Sequence, residues 1–181
     1  MIKKIFAYYK IPLLISLTVG ITIIAMAVIR DPWEIVQVAI AVLLGSFILD
    51  TEYILYSYIF EPKSEFGKSL FGYLKYKDYG GLLGFINEHK HEVKDKSLNS
   101  VLFQVVLVPL SIFVIYSAAS FFIKSLILST YAISIYRLIE AYFEGKTKDW
   151  FWAIKGTPKK EGVWALTAVL IMILVFCLRM I

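Results

Sequence analysis

The chain has 181 residues, of which 59% are hydrophobic and only 18% are charged, and its mean hydropathy is +0.72. A soluble domain is nearer one half apolar and one quarter charged, so this composition excludes an ordinary soluble protein. It indicates an integral membrane protein with one domain over residues 1–181. Nearly all the lysines lie between apolar runs, so topology and anionic lipid headgroups explain the net charge of +5, and nucleic acid is not expected as a partner.

Five apolar segments are long enough to cross about 30 Å of hydrocarbon at about 1.5 Å per residue. They span residues 11–29, 33–60, 101–123, 125–143 and 163–181. We therefore predict an all-α, polytopic bundle of five transmembrane helices. The intervening residues 61–100 mix lysines with aromatic and aliphatic residues at helical spacing, which predicts one or two amphipathic helices at the cytoplasmic surface.

The distribution of Lys and Arg predicts the orientation. If the N-terminus is cytoplasmic, fifteen lysines lie inside, and only Arg30, Lys124 and Arg179 lie outside. The positive-inside rule then favours an N-in, C-out protein of the cell (inner) membrane. The first residues, an apolar stretch and then AMA (Ala25 to Ala27) also resemble a cleavable signal peptide, but we expect this segment to be retained.

Two carboxylates interrupt the second apolar segment, where each costs several kcal/mol unless it faces a partner, a cavity or water. On a helix, Asp50 and Glu52 point about 200° apart, so they cannot both face one site. Asp50 shares its face with Ser46, Tyr53 and Ser57, a polar stripe that should face the interior of the bundle. Asp50 is therefore the better functional candidate.

Polar residues of three spans gather in the predicted cytoplasmic half of the bundle. This buried polar cluster consists of Asp50, Glu52, Gln104, Arg137 and Glu140. It indicates a pocket open to the cytoplasm. The alternative is an Asp50–Arg137 or Glu52–Arg137 ion pair that only fixes helix packing.

The only histidines lie in the sequence NEHKHEVKD, at residues 87–95. On a helix Glu88, His91, Glu92 and Asp95 would share one face, and imidazole and carboxylate are ligands that Zn, Fe or Mn accept. Asp50, His91 and Glu92 are thus the candidate ligands of a divalent metal. The alternative is a solvated helix with pairs of the Glu92–Lys96 kind.

Three stretches resemble the prokaryotic membrane-bound metal-dependent hydrolase-like family. They are LLGSFILDTEYIL at residues 43–55, HKHEVKDKSLNSVLFQVVLVPLS at 89–111 and SLILSTYAISIYRLIEAYFEG at 125–145. The resemblance implies a small polytopic protein related by pattern to zinc-dependent phospholipase C-like enzymes.

Carried over to this sequence, Asp50 matches the acid of the first family motif and His91 the loop histidine. Asn99-Ser100 stands where the family has His-Ser, and Tyr131 with Tyr136 or Arg137 stands where His and Asp are expected. At least two ligand histidines are therefore absent, and the resemblance implies a degenerate copy without a catalytic metal cluster, so we expect no tightly bound metal.

Two functions follow as hypotheses. The first is an inner-membrane relative of the metal-dependent hydrolases with degenerate or no catalysis. The second is a non-enzymatic membrane scaffold, or a small transport or assembly subunit, that uses a buried Asp/Arg pair. An enzyme needs metal ligands that converge on one point, whereas a scaffold needs its buried charges neutralised in pairs.

Overall fold

The computed structural model describes residues 2–60, 64–89, 97–154, 156 and 158–181, and in these residues it contains helices and no strand. The helices are α1 (Ile2–Met26), α2 (Pro32–Ile48), α3 (Thr51–Leu55), α4 (Glu65–Lys75), α5 (Tyr79–His89), α6 (Val101–Tyr116), α7 (Phe121–Phe143), α8 (Thr147–Trp150) and α9 (Lys160–Arg179). A π-helical turn, Tyr56–Phe60, continues α3. The prediction of an all-α protein is therefore confirmed for the described residues.

Helix α7 is the centre of the bundle. Its positions from Leu128 to Ile135 are all buried, and it packs against α1, α2, α6 and α9. A helix that is buried on every side needs neighbours all round, and the small side chains of Ser129, Thr130 and Ala132 let those neighbours approach. The other four helices instead expose large apolar side chains on their outer faces, which is compatible with membrane spans.

The long helices alternate in direction around α7. Contacts of Tyr9 with Asp50 and of Ser16 with Ser46 show that α1 and α2 are antiparallel. One end of the bundle consequently contains the starts of α1, α6 and α9 and the ends of α2 and α7. We call this the lysine-rich end, because most lysines of the sequence lie in the segments that begin or finish there.

Among the described residues, three helices are long and apolar enough to cross a membrane: α1 from Tyr9 to Met26, α7 and α9. Helices α2 and α3 make a fourth candidate span if the bent pair is counted as one. Helix α6 is apolar but has only 16 residues. The structure therefore confirms three or four candidate spans, and five spans are not confirmed.

The predicted second span, 33–60, is wrong as a single continuous helix. The chain bends by 52° between α2 and α3, at Leu49 and Asp50. The amide of Tyr53 bonds to the carbonyl of Asp50 instead of that of Leu49, and the side-chain amide of Asn99 donates to the Leu49 carbonyl at 3.0 Å. A side chain from another segment thus replaces one bond of the helical ladder, which is a recognised cause of a kink.

The predicted boundaries of the other spans also need correction. Helix α6 ends at Tyr116 and α7 begins at Phe121, so the turn lies at residues 117–120 and not at Lys124. Ser117 ends the helix because its backbone is extended and its hydroxyl accepts the amide of Ala119 at 3.3 Å. Helix α1 ends at Met26, before a left-handed Val28, and α9 covers 160–179 instead of 163–181.

Between α3 and α6, the described part of segment 61–100 contains two helices, α4 and α5. Both helices pack with the end of α3 in a separate apolar cluster that contains Tyr53, Phe66, Leu70, Leu82 and Ile86. Ser64 begins α4 by accepting the Gly67 amide at 3.0 Å. Lys68 and Lys75 lie on the exposed side of α4.

A layer of small residues brings α1, α2 and α7 close together near the middle of the bundle. Ser46 donates to Ser16 at 2.6 Å, Ser16 and Ser129 share a hydrogen bond of 2.8 Å, and Ser129 donates to the carbonyl of Val42 at 3.0 Å. Beside them, a Cβ atom placed on Gly45 would lie only 2.8 Å from Cβ of Ser129. This position therefore has room for a hydrogen atom only.

We expect Gly45→Ala to destabilise the protein by about 1–3 kcal/mol, because the new methyl group forces α2 and α7 apart. Gly72→Ala is the matched control, since Gly72 also lies within a helix but a Cβ there meets nothing within 4 Å. Because alanine has a higher helix propensity than glycine, that variant should be neutral or more stable by up to about 1 kcal/mol. Thermal unfolding in detergent measures both variants, and equal stabilities would contradict the close packing.

Candidate functional site

Asp50 lies in the bend between α2 and α3, at the lysine-rich end of the bundle. Its side chain is only 7% exposed, so it has almost no access to solvent and needs partners from the protein. The bend supplies them, because it turns the residue toward both α1 and α7. A carboxylate at this level therefore joins three segments that are far apart in sequence.

The partners of Asp50 are Arg137 and Tyr9. The guanidinium Nη2 of Arg137 donates to both carboxylate oxygens, at 3.0 and 3.3 Å, and the Tyr9 hydroxyl donates to Oδ2 at 2.6 Å. All three residues are buried. Charge-assisted hydrogen bonds of this length are about twice as strong as neutral ones, and low polarity around them strengthens them further.

Arg137 also serves a second carboxylate. Its Nη1 donates to Oε2 of Glu140 at 2.8 Å, three residues further along α7, and the side chain of Glu140 is 22% exposed. The planar guanidinium thus divides its donors between a deeply buried acid and a partly exposed one. We call Tyr9, Asp50, Arg137 and Glu140 the charge cluster.

Glu52 is buried but lies outside the charge cluster. Its Oε1 accepts the Leu98 amide at 2.7 Å, and its Oε2 accepts the backbone and side-chain amides of Asn99 at 3.0 and 2.9 Å. These residues lead directly into α6, whose N-terminal end favours a negative charge. Glu52 therefore fixes the start of α6, and it makes no ion pair with Arg137 among the contacts of the described residues.

Gln104 forms a third, separate polar bridge. Its Nε2 donates to the backbone carbonyl of Ser134 at 3.2 Å, and its Oε1 accepts the indole N–H of Trp150 at 3.3 Å. The amide thereby ties α6 to α7 and to α8. The five residues of the predicted polar cluster are thus divided: Asp50, Arg137 and Glu140 come together, while Glu52 and Gln104 have other partners.

The described residues at the charge cluster do not fit a divalent metal. Asp50 is engaged by a fixed cation, and the Tyr131 hydroxyl, where the family resemblance expects a ligand, donates to the carbonyl of Leu170 at 2.9 Å. In the described part of the chain, no group of three or more His, Cys, Asp or Glu side chains is placed to hold a metal ion. The candidate ligands His91 and Glu92 lie outside the described residues.

Comparisons with protein-family models, with curated proteins and with solved structures each found no match.

Sequence reasoning missed three members of the polar interior, Tyr9, Ser16 and Ser129. Tyr9 resembles an interfacial aromatic in the stretch AYYK, so nothing marks it as a partner of Asp50. The serines do carry a signal, because Ser125 and Ser129 form a small-xxx-small pattern on α7, which is typical of close helix packing.

We expect Asp50→Leu to destabilise the protein by about 3–5 kcal/mol, since it leaves the Arg137 guanidinium buried without its acid. Asp50→Lys should be worse, because it places a second cation beside the first. The double variant Asp50→Leu/Arg137→Met should recover most of the loss, because it removes both charges. Reversible unfolding of all three variants in mixed micelles measures these differences.

The matched control is the ion pair of Lys146 and Glu144. Its Nζ and Oε2 atoms are 3.0 Å apart, and both side chains are 34% exposed. Neutralising it should change stability by less than about 1 kcal/mol. If Arg137→Ala destabilises the Asp50→Leu protein as much as the wild type, the two residues are not coupled and the assignment is wrong.

Proposed function

We propose that this protein is a multi-pass protein of a prokaryotic inner membrane, with five spans and a cytoplasmic N-terminus. The alternating directions of α1, α2, α6, α7 and α9 support five crossings. The orientation is supported by the fifteen lysines that it places on the cytoplasmic side of the membrane. Anionic lipid headgroups are then the natural counter-charge at the lysine-rich end.

The short helix α6 is consistent with a span in this proposal. Its 16 residues give about 24 Å of helix, somewhat less than the usual hydrocarbon thickness. Local thinning of the bilayer accommodates a short span at a cost of fractions of a kcal/mol per ångström. Glu52 accepts the amides of Leu98 and Asn99 just before α6, which satisfies these backbone donors and reduces the cost of placing this entry segment near hydrocarbon.

Within the membrane we infer a non-catalytic role: a scaffold, or a small transport or assembly subunit, that descends from the metal-dependent hydrolase family. One observation carries this inference: both oxygens of Asp50, the residue that matches the family's acid, accept hydrogen bonds from Arg137 and Tyr9. Because arginine stays protonated in proteins, a divalent ion at Asp50 would lie beside a permanent cation. Asp50 is therefore suited to joining helices and poorly suited to holding a catalytic metal.

Cysteine labelling tests the proposed orientation. In a Cys177→Ala background, we expect a membrane-impermeant maleimide to label Trp33→Cys in intact spheroplasts. Lys68→Cys should react only after the membrane is permeabilised, because α4 lies at the lysine-rich end. Both native side chains are exposed, so accessibility within the protein is matched. Labelling of Lys68→Cys in intact spheroplasts would contradict the orientation.

Elemental analysis tests the non-catalytic role. Protein purified without chelator should contain far less than one zinc, manganese or iron per chain, because Arg137 opposes a divalent ion at Asp50. The comparison set is Asp50→Ala and His91→Ala, with Asp149→Ala as an exposed-acid control. Stoichiometric metal that is lost in the first two variants and kept in the third would refute the proposal and favour the hydrolase.

A further inference from the structure

A second polar feature lies at the lysine-rich end, outside the charge cluster. It is a cavity of about 490 Å³ between the end of α7, helix α8 and the start of α9. Its lining includes the apolar residues Phe143, Pro158 and Val163 and the polar residues Thr147, Lys148 and Lys160. The cavity thus combines cationic and apolar side chains.

The end of α7 forms this cavity. The Lys146 amide donates to the Ala141 carbonyl at 2.8 Å and the Gly145 amide to the Tyr142 carbonyl at 3.1 Å, the two bonds of a Schellman motif. Gly145 has a φ of +73°, which glycine adopts without strain. This sharp reversal leads directly into α8, and Lys148 of α8 and Lys160, the first residue of α9, line the same cavity.

The charge of the cavity favours an anion. Lys148 and Lys160 are exposed and line it from two different helices. The nearby carboxylate of Glu144 is already engaged by Lys146 at 3.0 Å. Helix α9 begins at Lys160 after Lys159, whose side chain makes no capping hydrogen bond. Glu161 in the first turn offsets part of the positive charge of the helix N-terminus, so the two lysines supply the cationic character of the cavity.

The aromatic residues beside the cavity are of the kind that is enriched at the level of the lipid headgroups. The rings of Tyr142 and Phe143 lie 5.3 and 6.3 Å from that of Trp164, and the three side chains form one aromatic patch. Tyr and Trp are enriched at the level of the lipid headgroups. Beyond this patch α9 is almost entirely apolar as far as Arg179, so in the proposed membrane the lysines would lie at the level of the headgroups and the apolar lining on the acyl-chain side.

We propose that this cavity is a binding site for an anionic phospholipid, with the lipid phosphate between Lys148 and Lys160 and the start of its acyl chains against Phe143 and Val163. The inference rests on the membrane placement proposed above. It adds a defined site to the general attraction of the lysine-rich end for anionic lipid. Each lysine near a membrane surface contributes roughly a five-fold preference for anionic lipid.

Native mass spectrometry of protein released from nanodiscs tests the site. The nanodiscs contain phosphatidylcholine with an equal amount of phosphatidylglycerol. We expect the wild type to retain phosphatidylglycerol in preference to phosphatidylcholine. Lys148→Gln/Lys160→Gln should reduce that preference by a factor on the order of ten or more. The control Lys68→Gln/Lys75→Gln removes the same charge from exposed positions of α4 and should keep most of the preference.

Each contrary outcome has a distinct meaning. Equal loss in both double variants, or no preference in the wild type, would overturn the site while leaving the membrane placement intact. Displacement of the lipid by excess inorganic phosphate would show that the cavity recognises a free anion, which also overturns the lipid assignment. Failure of the wild-type protein to enter nanodiscs would overturn the membrane placement and the site together.

Discussion

The ion pair between Arg137 and Asp50 constrains the rest of the bundle. An arginine on the central helix cannot lose its proton, so the chain must bring a carboxylate to it inside an apolar environment. Asp50 reaches the guanidinium because the chain bends between α2 and α3 at this residue, and Asn99 bonds the carbonyl that the kink releases. Tyr9 completes the arrangement from α1, so one charge determines the position of three segments.

The aspartate side chain is short, so the pair forms only if α2 and α7 approach closely. The small-residue layer one turn away provides that approach, since Gly45 leaves no room for a Cβ against Ser129. The hydroxyls of Ser16, Ser46 and Ser129 satisfy one another there, and thus the close contact leaves no donor of this layer without a partner. The close packing of α2 and α7 and the pairing of Asp50 with Arg137 therefore depend on each other.

The sequence predicts the long apolar helices and the inward-facing Asp50 and Arg137, because both depend on local pattern and on the high cost of charge in hydrocarbon. It does not predict the bend at Asp50, because the side chain that bonds the released Leu49 carbonyl belongs to Asn99, about fifty positions away. For the same reason the partners of Glu52 are not visible in the pattern: they are backbone amides. Helical periodicity assigns a face to a side chain but does not identify what lies opposite.

Two kinds of cation occupy the lysine-rich end, and their chemistry suits different tasks. The rigid, planar guanidinium of Arg137 can bind two carboxylates at once and loses little freedom in doing so. Lys148 and Lys160 are flexible and strongly hydrated, which would suit the mobile lipid phosphate proposed for the cavity. Arg137 and the cavity residue Phe143 are six positions apart on α7, about 9 Å along the helix. The proposed lipid site is therefore separate from the ion pair, so exchange of a lipid there would not require the helices to part.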